Sequence, residues 1–179
     1  LMNIIDTKIK GAVIIEPAVF GDSRGFFLET YQAQRYLDQA GIDQPFVQDN
    51  HSRSAKGVLR GLHYQKTKPQ GKLVRVVRGE VFDVGVDLRR ASPTFGCWQG
   101  VWLSEDNHRQ LWLPPGLAHG FVVTSESADF EYKCTSYYDP EDEGCLIWND
   151  PHVGIEWPLE NPLLSDKDKA GLSFKELAA

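Results

Sequence analysis

The chain is short of cysteine, of long apolar runs and of positive charge, and each shortage excludes a class of protein. Only Cys97, Cys134 and Cys145 are present among 179 residues, an odd number with no close pair. Neither a disulfide framework nor a zinc knuckle is indicated, and a reducing cytoplasm is the expected home. No apolar stretch approaches the ~20 residues needed to cross a bilayer. The N-terminus also lacks the basic start and long apolar stretch of a signal peptide, so a soluble, unexported protein with no membrane partner is expected. Nineteen basic against 25 acidic residues leave a net charge of −6, which argues against a general nucleic-acid binder, since that needs a basic footprint. Any positive site must be local. Linkers, repeats and low-complexity segments are missing too, and residues 1–179 read as a single domain.

What the chain does have is 41% apolar residues distributed over many short β-rich segments separated by turn residues. Strands are expected at Ala12–Ile15, Phe26–Thr30, Phe46–Gln48, Val58–Gln65, Lys72–Arg78, Val81–Leu88, Trp98–Leu103, Gln110–Leu113, Gly120–Thr124, Phe130–Ser136 and Cys145–Trp148. So many at this spacing predict an all-β sandwich or barrel. Helical signals are confined to Tyr31–Ala40, with Gly41 as its stop, and to a helical or irregular tail over Ser165–Leu177.

Alternation along these strands assigns faces. Lys72 falls with Val74 and Val76, Tyr132 with Phe130 and Cys134, and His119 with Phe121 and Val123, while Asp129, Glu131 and Lys133 take a solvent-like face. His63 falls with Leu59 and Gly61, and Arg60 on the other face. An interior holding His63, Lys72, His119 and Tyr132 is too polar for an apolar core, because buried polar groups cost free energy unless partnered; it suggests a binding cavity.

The segment Val58-Leu-Arg-Gly-Leu-His-Tyr-Gln65 is the most informative. It sets a guanidinium suited to phosphate oxygens beside an imidazole that exchanges a proton near neutrality. That pairing points to an enzyme acting on a phosphorylated substrate. Alternate parity would separate Arg60 from His63, so a bulge at Gly61 is expected if both serve one cavity. Taken singly, His63 reads at least as well as a satisfied structural residue, and Tyr132 reads better as core than as catalyst. Lys72 is harder to read so, because an inward lysine needs an anionic partner.

Pro115-Gly116 and His119 form a Pro-x-Gly-x-x-His pattern that resembles the second half-motif of the cupin superfamily, implying a cupin-type jelly-roll barrel with a few short helices. Metal-binding cupins continue their first motif with a second histidine. Here His63-Tyr64-Gln65 stands in that place, so no metal is expected.

The segments Phe20-Gly-Asp-Ser-Arg-Gly-Phe-Phe-Leu-Glu29, Val47-Gln-Asp-Asn-His-Ser52, Gly57–Gln65, Gly71-Lys-Leu-Val-Arg75, Gly79-Glu-Val-Phe-Asp83, Ser92-Pro-Thr-Phe-Gly96, Leu113–Phe121, Tyr132-Lys133 with Tyr137-Tyr138, and the tail Leu164–Asp168 span nearly the whole chain. Together they give it a resemblance to the dTDP-4-dehydrorhamnose 3,5-epimerase family. The resemblance implies inversion of a 4-keto-6-deoxy sugar nucleotide at carbons 3 and 5, with no cofactor. His63 would be the base, Asp168 the carboxylate that orients it, Tyr132 the proton donor on the opposite face and Lys72 the cation that steadies the enolate oxygen. Arg24 and Arg60 would hold the diphosphate, Glu29 with Gln48, Asp49 and Asn50 the thymidine end, and His119, Glu143 and Lys167 the remaining groups, Lys72 also touching substrate. A homodimer with crossing N-terminal strands is implied, Arg24 and Glu29 serving the neighbour's site. Two other readings stay open: an enzyme that epimerises one centre or isomerises a related keto sugar, and a non-catalytic nucleotide-sugar binder.

Overall fold

A computed structural model describes residues 2–179. In chain order its strands are β1 (Asn3–Asp6), β2 (Val13–Glu16), β3 (Val19–Asp22), β4 (Gly25–Leu28), β5 (Gln48–Ala55), β6 (Leu59–Gln65) and β7 (Lys72–Arg78). They are followed by β8 (Glu80–Asp87), β9 (Trp98–Ser104), β10 (Gln110–Leu113), β11 (Leu117–Val123), β12 (Ser127–Cys134) and β13 (Glu143–Cys145). Helices are α1 (Ala33–Ala40), α2 (Asp166–Lys169) and α3 (Phe174–Ala178), none of them long and apolar enough to cross a membrane.

The strands form a six-stranded sheet in the order β1-β2-β10-β7-β12-β5 and a five-stranded sheet in the order β13-β6-β11-β8-β9. All strand pairs within both are antiparallel. Between the sheets Val74, Val76, Leu111, Leu113 and Phe130 of the first meet Val81, Val101, Leu103, Phe121 and Val123 of the second. The outer face of the large sheet buries Val13, Ile15, Leu73 and Trp112 under Tyr36 and Ala40 of α1. The outer face of the small sheet buries Leu62, Val84, Val86 and Ala118 under Leu146, Val153 and Phe174 of the C-terminal segment. Apolar burial on both faces explains why strands such as β10 and β11 read as continuous apolar runs.

Helix α1 begins where the Gln32 side chain accepts the Arg35 N–H and ends at Gly41, whose φ of 72° is the left-handed stop anticipated from sequence. Strand β5 is the largest departure from expectation. It runs from Gln48 to Ala55 and pairs along its whole length with β12, whereas the sequence indicated only Phe46–Gln48. Its Gln-Asp-Asn-His-Ser-Arg-Ser-Ala composition has little β preference. It is held by its neighbour's backbone, as an edge strand with polar residues on both faces. The tail divides into α2 and α3, each with a serine N-cap, Ser165 and Ser173.

The irregularity anticipated at Gly61 is present. Arg60 pairs with Phe121 and His63 with His119, so three steps on β6 match two on β11. Because directly paired residues share a face, Arg60 and His63 both turn into the inter-sheet space. Gly61 has a φ of 123°, and a Cβ built there would lie 2.6 Å from the His119 carbonyl oxygen. Only glycine allows that approach.

Candidate active site

The bulge also aims a backbone donor. The Gly61 N–H donates to Asp168 Oδ2 at 3.0 Å, and His63 Nε2 lies 2.7 Å from Asp168 Oδ1, so one carboxylate fixes both. Asp168 comes from α2, where its own N–H is held by the capping Ser165 hydroxyl. Burial pushes the Asp168 carboxyl up, but the bonds from His63 and Gly61 outweigh it and leave it below the ordinary carboxylate value. Asp168 is buried while the His63 side chain stays 30% exposed. With Nε2–H directed at the carboxylate, Nδ1 is the nitrogen left with a lone pair.

Across the inter-sheet space Lys72 and Tyr132 lie on neighbouring strands β7 and β12. Lys72 is buried with its Nζ 5.7 Å from the Tyr132 ring centroid. Burial lowers the pKa of Lys72, opposed by Cys134, Glu143 and Asp83 nearby. Burial raises that of Tyr132, which therefore keeps its proton at neutral pH. His119 Nε2 lies 2.8 Å from Asp83 Oδ1, both buried, and Asp83 Oδ2 has no hydrogen-bond partner among the described residues. Burial pushes Asp83 up and His119 down, each toward its neutral form.

The other candidate residues divide by face. Arg60 reaches across to β5, its Nε donating to Ser54 Oγ at 2.8 Å. Gln48 and Asn50 pair with Cys134 and Tyr132 on the inward face, and the Gln48 amide bonds Asn50 and the Tyr138 N–H. Glu143 lies opposite Gln65 on β13 and is paired with Lys167. Asp49 does not join them. It alternates to the outer face of β5, 72% exposed, where Lys133 Nζ holds it at 3.1 Å. Within this chain Arg24 and Glu29 also lie apart from the site, engaged by Asp22 and Arg35. Asp129 is on the outer face as expected, yet buried, because Arg53 and His51 of β5 fold over it, and their hydrogen bonds, Arg53's above all, hold its carboxyl at about 2.

Sequence reasoning missed Asp83 and Cys145. A lone carboxylate alternating with Val81 and Gly85 in an apolar strand was a usable signal for Asp83. Cys145 carried none, and it lies beside the dyad, its Sγ 3.9 Å from Asp168 Oδ1. Burial first, then Asp168, pushes its thiol up to about 11. The donor set of a metal-binding cupin does not assemble: the Gln65 amide is committed to Lys68 O, Tyr137 O and the Asp139 N–H, and His119 is held by Asp83.

Two antiparallel sheets with a histidine, a lysine and a tyrosine turned into the space between them define a cupin-type jelly-roll enzyme. Comparison with known proteins narrows the class. The family model of dTDP-4-dehydrorhamnose 3,5-epimerase matches residues 6–176. The dTDP-4-dehydrorhamnose 3,5-epimerase of Pseudomonas aeruginosa is 58% identical, with 98% of this chain and 97% of that protein covered. The crystal structure of a dTDP-6-deoxy-D-glucose-3,5-epimerase from Legionella pneumophila in complex with dTDP-4-keto-L-rhamnose is similar at a TM-score of 0.94 and 58% identity, covering 99% of this chain and 97% of that one. A dTDP-4-dehydrorhamnose 3,5-epimerase from Elizabethkingia anophelis gives a TM-score of 0.93 at 46% identity, covering 98% and 97%. The chain belongs to the dTDP-4-dehydrorhamnose 3,5-epimerase family, and it is an isomerase.

Proposed function

We propose that the protein inverts carbons 3 and 5 of dTDP-4-dehydro-6-deoxy-D-glucose, giving dTDP-4-dehydro-L-rhamnose for dTDP-L-rhamnose biosynthesis in the cytoplasm. The observation that carries this reading is the opposition of a partly exposed His63 on one sheet, steadied by buried Asp168 of α2, to Tyr132 and Lys72 on the other. The C4 ketone acidifies the hydrogens on both neighbouring carbons. His63 Nδ1 removes one of them, and the electron pair moves onto the ketone oxygen as an enolate. Lys72, a cation in a dry setting, stabilises that oxygen, where a preorganised charge acts most strongly. Tyr132 returns a proton from the opposite face, since a ketone enolate is a far stronger base than a phenolate. Asp168 holds the imidazole in the tautomer that leaves Nδ1 basic. Arg60, tethered among the described residues through Nε to Ser54, has its fork available for the diphosphate. Gln48 and Asn50 on β5 suit the thymidine end, with His119, Glu143 and Lys167 lining the remainder.

The homodimer belongs to the same proposal. The β3–β4 hairpin stands apart from both sheets and exposes Phe20, Phe26 and Phe27 to 63–66%. Such an apolar patch fits a covering protein surface. A second copy over it brings Arg24 and Glu29 to the neighbour's site. Sedimentation should give a dimer, and a monomer at assay concentration overturns this part.

The test of the reaction is hydrogen exchange. Incubation with the 4-keto sugar nucleotide in heavy water should place deuterium at both C3 and C5, read by NMR. Label at one carbon identifies a single-centre epimerase instead, and no label with intact nucleotide binding identifies a binding protein.

A further inference from the structure

His63, Cys145 and Asp168 each offer one ligand atom, and the three atoms lie within 4.8 Å of one another. They come from three separate elements. β6 and β13 place Cys145 directly opposite His63 in the sheet, and α2 adds the carboxylate from the side. One nitrogen, one sulfur and one oxygen donor, converging on a partly exposed point, make the ligand set that Zn²⁺ and its neighbours favour, with a fourth position left for water. This set differs from that of metal-binding cupins, whose positions here are given over to Gln65 and the Asp83-bound His119. It also contains a thiol that the epimerisation reading gives no task.

We propose that His63, Cys145 and Asp168 form a reversible inhibitory site for Zn²⁺. The metal enters between the side chains and replaces the His63–Asp168 hydrogen bond. Cys145 Sγ gives up its proton to solvent and becomes a thiolate ligand, so one proton is released per ion bound and no electrons move. Asp168 supplies a carboxylate oxygen. His63 presents the Nε2 lone pair to the metal, which moves its remaining proton to Nδ1. The nitrogen that would take the substrate hydrogen is then occupied. The inhibitory consequence rests on His63 being the base; the binding itself does not. Cys145 is the residue that confers sensitivity, since a carboxylate and a single imidazole alone hold such an ion weakly.

Co²⁺ and Zn²⁺ added to the metal-stripped protein test the two parts separately. Co²⁺ should produce thiolate-to-cobalt charge-transfer absorption in the near ultraviolet, saturating at one ion per chain and absent in Cys145→Ala. Calorimetry with Zn²⁺ should show at least a tenfold loss of affinity in the same variant. Zn²⁺ should suppress deuterium exchange into the substrate and a chelator should restore it, while Cys145→Ala keeps its basal exchange and resists suppression. A cobalt spectrum without the thiolate band, or equal Zn²⁺ affinity in the variant, overturns the site. Metal binding with the thiolate band in a protein that exchanges no substrate hydrogen even when metal-free leaves the site standing and overturns the epimerase reading instead.

Discussion

His63 and His119 face each other directly across β6 and β11, and each is bonded through Nε2 to an aspartate, at 2.7 and 2.8 Å. The two pairs have the same chemistry and different settings. Asp83 comes from the adjoining strand β8, and the His119 side chain is 8% exposed, with its carboxylate wholly enclosed. Asp168 arrives from a helix far along the chain, and His63 is 30% exposed. Burial, more than residue type, divides the work. An enclosed imidazole–carboxylate pair is a fixed polar post beside Lys72, whereas the pair at the rim keeps one ring nitrogen open to a substrate.

The largest effect should come from breaking the rim pair. His63→Ala is expected to slow deuterium exchange at C3 and C5 by about 10²–10⁴-fold, the usual contribution of a positioned general base. Nucleotide affinity by calorimetry and the melting temperature should change little. Breaking the enclosed pair should reverse that balance. His119→Ala leaves the Asp83 carboxyl with neither oxygen bonded in a dry interior, a penalty of about 3 kcal/mol. Thermal or denaturant unfolding measures it. Equal stability losses in the two variants would erase the distinction.

Lys72 sharpens the contrast from the other sheet. Its folded pKa is lowered by burial, so between that value and the unfolded 10.5 the unfolded chain binds more protons and Lys72's contribution to stability rises with pH. The buried ammonium is therefore a cost to folding at neutral pH. Lys72→Met should keep or raise the melting temperature at pH 7 while reducing exchange by about 10²-fold, as loss of a charge-stabilising group does. The same shift sets a pH limit. As pH rises, activity should fall as Lys72 loses its charge at a pKa that burial holds below the ordinary 10.5, while burial displaces ionisation of Tyr132 above 10. Residual exchange in Tyr132→Phe should show the same alkaline fall. A fall that vanishes in Tyr132→Phe would belong to the tyrosine and overturn its assignment to Lys72.

How much of this was legible depends on where each residue's partner lies. Face alternation alone put Lys72, His119 and Tyr132 inward, because each sits in a strand whose apolar residues mark the inside. The conflict in parity between Arg60 and His63 located the Gly61 bulge. Asp168 was beyond such reasoning. It lies 105 residues from its partner His63, on a four-residue helix without apolar periodicity, and only family resemblance pointed to it. Cys145 emerged from three-dimensional proximity, which no local pattern encodes. The facing of Gln48, Asp49 and Asn50 was obscured by the polar composition of β5, which hid a strand that cross-strand bonding to β12 imposes.

That hidden strand decides the smallest prediction. Gln48, Asp49 and Asn50 were grouped at the thymidine end, but three consecutive residues of a strand cannot share a face. With β5 extended from Gln48, the first and third turn inward beside Cys134 and Tyr132, and Asp49 turns out to Lys133. The Asp49–Lys133 pair is solvent-exposed on the carboxylate side, where ion pairs are worth about 0.2–1 kcal/mol and are screened by salt. Asp49→Ala should therefore change stability by no more than that and leave dTDP affinity within about twofold, a free-energy change of roughly 0.4 kcal/mol. Asn50→Ala, one residue further and on the other face, should weaken dTDP by about 1 kcal/mol or more through a lost hydrogen bond. Calorimetric titration of both variants compares them directly. A larger loss of affinity in Asp49→Ala than in Asn50→Ala would mean that the outward face, not the inter-sheet space, receives the nucleotide.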